Sequence, residues 1–245
     1  MTTTEPLLSE LETDAPARQV LVGAFWTAVV LDTDPPHCGL ASTLRAETHH
    51  EGAPVPQAGR LLEYSGRELA EWLRSPRILE ASIGMAAFNA LLHVNEATCT
   101  EVNAEDVVLR RGTGRRVAIV GHFPFVERVR QAAEVGWVLE LRPRPGDLSA
   151  GQANELLPQA DVVALTGTSL LNHTFDDLVG LCRPEAFVVL PGASAPLSPV
   201  LFERGMDAIS GTRVVDVPAV LQAVGQGATF RQIPGKRLLT LMREM

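Results

Sequence analysis

The second half of the chain is punctuated by apolar runs, and four of them end on a glycine. They are VAIVG at Gly121, VALTG at Gly167, VVLPG at Gly192 and DAISG at Gly211. A fifth run, WVLEL, ends at Arg142-Pro143. Stretches of helical character lie between and after these runs, at 125–135, 152–157, 175–181, 199–202 and 218–224. Runs that are apolar throughout, rather than alternating, predict strands buried on both faces, and their alternation with helices predicts a parallel sheet. Five such units predict an α/β domain, a Rossmann-like doubly wound sheet over residues 106–245.

The first part, residues 1–105, has a different grammar. RQVLVGAFWTAVVLDTD is rich in β-branched and aromatic residues and predicts extended structure. DPPHCG predicts a turn and LASTLR a further short strand, which together make a small antiparallel sheet. Two helices follow. Ser65 stands three residues before Glu68, the spacing of a capping box. Ser75-Pro76 predicts the start of the second helix, SPRILEASIGMAAFNALL. Its small residues fit tight packing against a neighbour. They fit equally a helix that lines a pocket, with Glu80, Ser82 or Asn89 reaching in. The polar segment from Glu96 to Arg115 reads as the junction between an α+β domain and the α/β domain.

Open α/β sheets bind ligands beyond the carboxyl ends of their strands. The residues expected there are Gly121, His122, Phe123 and Pro124; Glu140, Arg142 and Asp147; Gly167, Thr168, Asn172 and His173; Gly192 and Ser194; and Gly211, Thr212 and Arg213. A dinucleotide loop needs three glycines, of which only Gly121 is present, and Pro124 removes a backbone donor, so NAD is not expected. Glu140 falls 19 positions after Gly121, near where an acid meets a ribose, which suits a nucleoside such as S-adenosylmethionine better. His122, His173 and Asp147 are the residue types that ligate zinc, nickel, cobalt or iron. The same imidazoles suit acid–base work near neutral pH, or they cap turns. Arg213 suits a carboxylate or phosphate clamp, or a surface ion pair. His37 sits in a proline turn, His93 at a helix end, and His49 and His50 are adjacent and point opposite ways in an extended segment.

Composition narrows the partners. The 245 residues carry a formal charge of −8, which argues against a nucleic-acid footprint. The acidic start lacks the basic region of a signal peptide, and the apolar run Val20–Leu31 is too short to span a membrane, so a cytoplasmic protein is expected. Three widely spaced cysteines support neither a disulfide framework nor a thiolate metal site. Phe123, Phe125 and Trp72 leave a homo-oligomer open.

The motifs EASIGMAAFNALL, VAIVGHFPF, RPRPGDL, DVVALTGTSLLNHT, LPGASAPLSP and ISGTRVVD together resemble the heavy-metal-chelation family of uncharacterised prokaryotic proteins, from about Leu7 to Arg243. The resemblance implies an enolase N-terminal-like domain joined to a Rossmann-like one, with a site in the cleft between them. It also implies handling of heavy metals, with no role for any single residue.

Two functions follow as expectations. One is a protein that binds a transition metal, or a metal-chelating small metabolite, in the interdomain cleft. His122, His173 and Asp147 would then be its metal ligands, with Thr168, Ser194 and Arg213 fixing the organic part. The other is a metal-independent enzyme acting on a small metabolite, with a histidine as base and Glu140 on a nucleoside cofactor.

Overall fold

The computed structural model describes residues 2–45 and 52–244, so His49 and His50 lie outside the described residues. The chain opens with helix α1 (Thr4–Glu10) and a three-stranded antiparallel sheet, β1 (Ala17–Val22), β2 (Trp26–Leu31) and β3 (His37–Ser42), in that order. The long extended stretch therefore folds back on itself at Gly23–Phe25, where Gly23 N–H bonds Trp26 C=O. Strand β3 starts at His37, inside the segment read as a turn. Only Asp32–Pro36 turns the chain, and Thr33 Oγ1 accepts from His37 N–H to close it.

Helices α2 (Gly66–Ala70) and α3 (Ile78–Leu91) follow. The Ser65/Glu68 capping box forms as the spacing predicts. The start of α3 does not: its N-cap is Arg77, and Ser75 instead accepts from Arg77 N–H and donates to the Glu80 carboxylate. The small residues of α3 serve packing. A Cβ on Gly39 of β3 would stand 2.1 Å from Ala86 C=O, and one on Gly84 would stand 2.3 Å from Leu73 N. Only hydrogen at these two positions lets backbone meet backbone.

The remaining strands are β4 (Cys99–Thr100), β5 (Arg116–Val120), β6 (Val135–Glu140), β7 (Leu148–Ser149), β8 (Val162–Leu165), β9 (Phe187–Pro191), β10 (Ala208–Val214) and β11 (Lys236–Met242). The helices among them are α4 (Ala104–Gly112), α5 (Val126–Ala132), α6 (Ala153–Leu156), α7 (Thr168–Leu171), α8 (Phe175–Leu181) and α9 (Val217–Gly225). All eight strands form one sheet, in the order β4-β11-β10-β9-β8-β5-β6-β7. Strands β5 to β10 run parallel in the order 7-6-5-8-9-10, the arrangement of a doubly wound α/β fold, with the change of direction between β5 and β8. Central strands such as β5 and β8 are buried on both faces, which is why their sequences do not alternate.

One strand runs past the end the sequence reading gives it. Strand β10 does not end at Gly211 but continues through Thr212 and Arg213 to Val214, paired in full with antiparallel β11. The β-branched run after Gly211 carries the ladder on. The two parts of the chain also share one apolar core, in which Leu7, Leu31, Ile83 and Phe88 pack in the same cluster as Leu165, Leu190 and Leu239. No helix among the described residues is long and apolar enough to cross a membrane.

Candidate functional site

A cavity of about 600 Å³ lies between the small sheet and the carboxyl-terminal edge of the large one. Its size suits a small organic ligand. Trp26 and Ser42 line it from the small sheet. His122 and Phe123 to Phe125 line it after β5, Thr166 to Thr168 after β8, Gly192 to Ser194 after β9, and Ser210 to Thr212 within β10. The segment Thr229–Arg231, the start of α4, and Leu238 and Leu239 of β11 complete the wall.

The turn after β5 is built around Gly121, whose φ of +103° suits a residue without a Cβ. It throws His122 and two phenylalanines toward the cavity. The rings of Phe123 and Phe125 stack 5.1 Å apart and 8° from parallel. On the opposite side Trp26 and Phe230 meet at 5.1 Å. The cavity is therefore walled by aromatic faces.

His122 is held from behind. Its Nδ1 lies 2.9 Å from Asp147 Oδ2. The same carboxylate accepts from Arg130 at 2.8 Å and from Arg144 N–H at 3.1 Å, and these partners cover its side chain completely. Arg130 also bonds Gly146 C=O, which fixes the loop that carries Asp147. Desolvation works to raise the Asp147 carboxyl, but the bonds from His122, Arg144 N–H and Arg130 together outweigh it and hold it below the usual carboxylate range. An ionised carboxylate can only accept, so His122 Nδ1 carries the hydrogen. In the neutral ring Nε2 then keeps its lone pair, free to meet a ligand, a metal or a proton.

The other sequence candidates divide clearly. Gly167, Thr168, Ser194 and Thr212 line the cavity with His122. Thr168 Oγ1 lies 3.0 Å from Thr166 Oγ1, and Ser194 Oγ accepts from Ser42 N–H at 2.8 Å, tying the two sheets together. Gly167 is there because a Cβ would stand 2.7 Å from Ala195 N. The rest face other duties. Glu80 pairs with Ser75 and Arg77. Ser82 bonds Ile78 C=O and Leu44 N–H. Asn89 donates to Leu40 C=O and Ala193 C=O. Asn172 Oδ1 accepts from Thr174, and Glu140 Oε2 accepts from Leu141 N–H at the end of β6. Arg213 forms an ion pair with Glu96 and does not line the cavity.

The expected metal set does not assemble. The helical turn α7 carries His173 away from the strand end, where it closes that turn at φ +61° and its Nε2 lies 2.9 Å from Ser75 C=O. Asp147 spends both oxygens on His122, Arg130 and Arg144. Among the described residues no group of three or more His, Cys, Asp and Glu could hold a metal ion. The described side chains thus do not fit a resident metal. None of the three cysteines lines the cavity, and burial pushes their thiols up, Cys38 to about 12 and Cys182 to about 11.

Several cavity residues escaped the sequence reading. Trp26 and Ser42 read only as strand residues, and Phe230 and Arg231 fall in a segment without a motif. Arg130, which does not line the cavity but holds Asp147 behind His122, read as an ordinary helix position. The one available signal was Asn103-Ala-Glu-Asp, an N-cap that places the start of α4 on the cavity.

Two family models, both described as "Putative heavy-metal chelation", match the chain, DUF4213 over residues 4–92 and DUF364 over residues 103–243. The chain belongs to the DUF364 family. A crystal structure of a DUF364 protein of unknown function from Desulfitobacterium hafniense DCB-2 superposes with a TM-score of 0.84 at 24% identity, covering 98% of this chain and 97% of that one. A second, from Pyrococcus horikoshii, gives 0.83 at 19% identity, with 98% of each chain covered. An uncharacterised protein of Methanocaldococcus jannaschii is 30% identical over 151 residues, which span 59% of this chain and 58% of that relative. At these identities the solved structures share the family's fold, and the family's description points toward heavy metals without a ligand or a reaction.

Proposed function

We propose that this DUF364 protein binds a small metal-chelating metabolite in the cavity between its two sheets, with the metal as cargo rather than as a resident ion. His122 Nε2 would donate to the metal, and the metabolite would supply the remaining ligands. The observation that carries this reading is an imidazole, oriented through Nδ1 by a shielded carboxylate, on the wall of an aromatic cavity where the described residues supply no further protein ligand set. A carboxylate behind a ligating histidine fixes its tautomer and makes its free nitrogen more basic. The stacked Phe123 and Phe125 rings suit the planar part of an organic chelator. Borderline ions such as zinc, nickel, cobalt and iron fit imidazole, and none of the three cysteines lines the cavity to take a softer one.

The rival reading, a metal-independent enzyme with a nucleoside cofactor, draws less support, because Glu140 does not line the cavity. Calorimetric titration separates the two, using zinc alone, 8-hydroxyquinoline alone and the preformed zinc–hydroxyquinoline complex, on the wild type and on His122→Ala. Binding of the complex, with metal alone bound weakly and the preference for the complex lost in a folded His122→Ala variant, is the expected result. Equal binding of the complex by His122→Ala sinks the reading.

A further inference from the structure

Three side-chain polar atoms among the described residues are buried without a hydrogen-bond partner, and two of them, Trp26 Nε1 and Thr212 Oγ1, belong to residues that line the cavity. A buried donor left unmet is destabilising, because it has lost its bond to water and gained none in return. The strand pairing around each explains its isolation among the described residues. On one face of β10, Ser210 stands across from Thr240 of β11, and their hydroxyls pair at 2.8 Å. The next pair on that face is Thr212 and Leu238, so the Thr212 hydroxyl faces an apolar partner. Trp26 stands across from Ser42 of β3, whose N–H donates to Ser194 Oγ and whose hydroxyl accepts from the same oxygen, and the indole N–H reaches neither. The indole N–H can only donate, so whatever satisfies it is an acceptor.

The unpaired charge on the described wall is basic. Arg231 lies at the cavity, exposed, with no ion-pair or hydrogen-bond partner among the described residues, next to the Phe230 ring that packs on Trp26. Lys236 Nζ stands over the same ring, 4.8 Å from its centre. The only acid on the described cavity wall is Glu105, and it is paired with Arg128.

We infer that Trp26, Thr212 and Arg231 form a subsite for a carboxylate of the bound metabolite. Trp26 N–H and the Thr212 hydroxyl donate to its oxygens, and Arg231 supplies the opposing charge at the rim. Two neutral donors and one cation match a singly charged carboxylate. A phosphate would call for the run of backbone N–H groups that a glycine-rich loop provides. This inference rests on the reading of the cavity as a small-molecule site, and it adds a ligand class: an aromatic or planar acid.

The test uses no metal. Benzoate, benzamide and benzyl alcohol are titrated into the full-length protein while the indole N–H resonances of its three tryptophans are followed by ¹⁵N NMR, with Trp26→Phe assigning the signal. Benzoate is expected to give a saturable downfield shift at Trp26 alone, with weaker responses to the two neutral analogues. Thr212→Val should weaken benzoate roughly tenfold, the scale of one hydrogen bond to a charged group. Its ligand-free melting temperature should hold or rise, because the variant removes an unmet buried hydroxyl. Arg231→Gln should weaken benzoate about threefold and flatten its salt dependence. No saturable shift at Trp26 in tens of millimolar benzoate overturns the subsite, as does an equal response to benzyl alcohol. So does a Thr212→Val variant that melts lower and binds benzoate unchanged, since the hydroxyl is then structural. If the zinc–hydroxyquinoline complex binds and benzoate does not, the subsite alone falls; if neither binds, the cavity reading falls with it.

Discussion

His122 Nδ1 and Asp147 Oδ2 lie 2.9 Å apart, and Arg130 stands behind the carboxylate at 2.8 Å. The three residues come from the turn after β5, the loop before β7 and helix α5, so the sheet brings together groups that the sequence holds up to 25 positions apart. The result is an imidazole with a defined hydrogen and a defined lone pair.

Asp147→Asn should therefore weaken the zinc–hydroxyquinoline complex about 10- to 100-fold, the usual range for losing the carboxylate behind a ligating histidine. Arg130→Gln should weaken it less. Calorimetry gives the affinities, and the imidazole ¹⁵N shifts report the tautomer. Affinity and shifts both unchanged in Asp147→Asn would show that the carboxylate does not orient the ring.

Glycines 39 and 84 make a prediction that runs against helix propensity. Gly84→Ala should gain ~1 kcal/mol of intrinsic helix stability. Its new Cβ, however, would stand 2.3 Å from Leu73 N, backbone that cannot step aside cheaply. Net destabilisation of about 2 kcal/mol or more is expected from urea unfolding, and Gly39→Ala should cost at least as much. A Gly84→Ala variant as stable as the wild type contradicts the close packing of α3.

Asn89 joins the two halves by donating to Leu40 C=O at 2.9 Å and Ala193 C=O at 3.3 Å. Asn89→Ala should cost about 1–3 kcal/mol, because it leaves two carbonyls short of a donor. Affinity for the zinc–hydroxyquinoline complex should hold within about twofold where the variant is folded. A large loss of affinity with no loss of stability would return Asn89 to the site.

Acid unfolding should carry the signature of Asp161. The side-chain bond from Arg116, and after it the Arg116 N–H, bring its carboxyl down from 3.8 to about 2, with Arg183 adding opposite charge. A carboxyl depressed in the folded state contributes stability that is complete above its unfolded value and is lost as pH falls through the folded one. The wild type should therefore be more stable than Asp161→Asn near neutral pH, by about 1 kcal/mol once solvent screening is allowed for. The gap should close between about pH 4 and pH 2. A gap independent of pH over that window would point to packing rather than charge.

What the chain determined by itself is mostly local. Runs without alternation belong to strands covered on both faces, which is why β5, β8 and β9 could be read directly, and the Ser65–Glu68 spacing carries its own cap. The carboxyl edge of a parallel sheet follows from the strand pattern, and with it the places of His122, Gly167, Thr168 and Ser194. Tertiary structure decided the rest, because it depends on what happens between elements. A four-residue helix moved His173 off the strand end. The loop carrying Asp147 folded so that the carboxylate supports His122 instead of ligating beside it. Pairing with β11 extended β10 and left Thr212 opposite a leucine, and packing of the small sheet over the large one brought Trp26 to the same cavity. Periodicity records which face of an element is buried; it holds no record of which distant residue will be there to meet it.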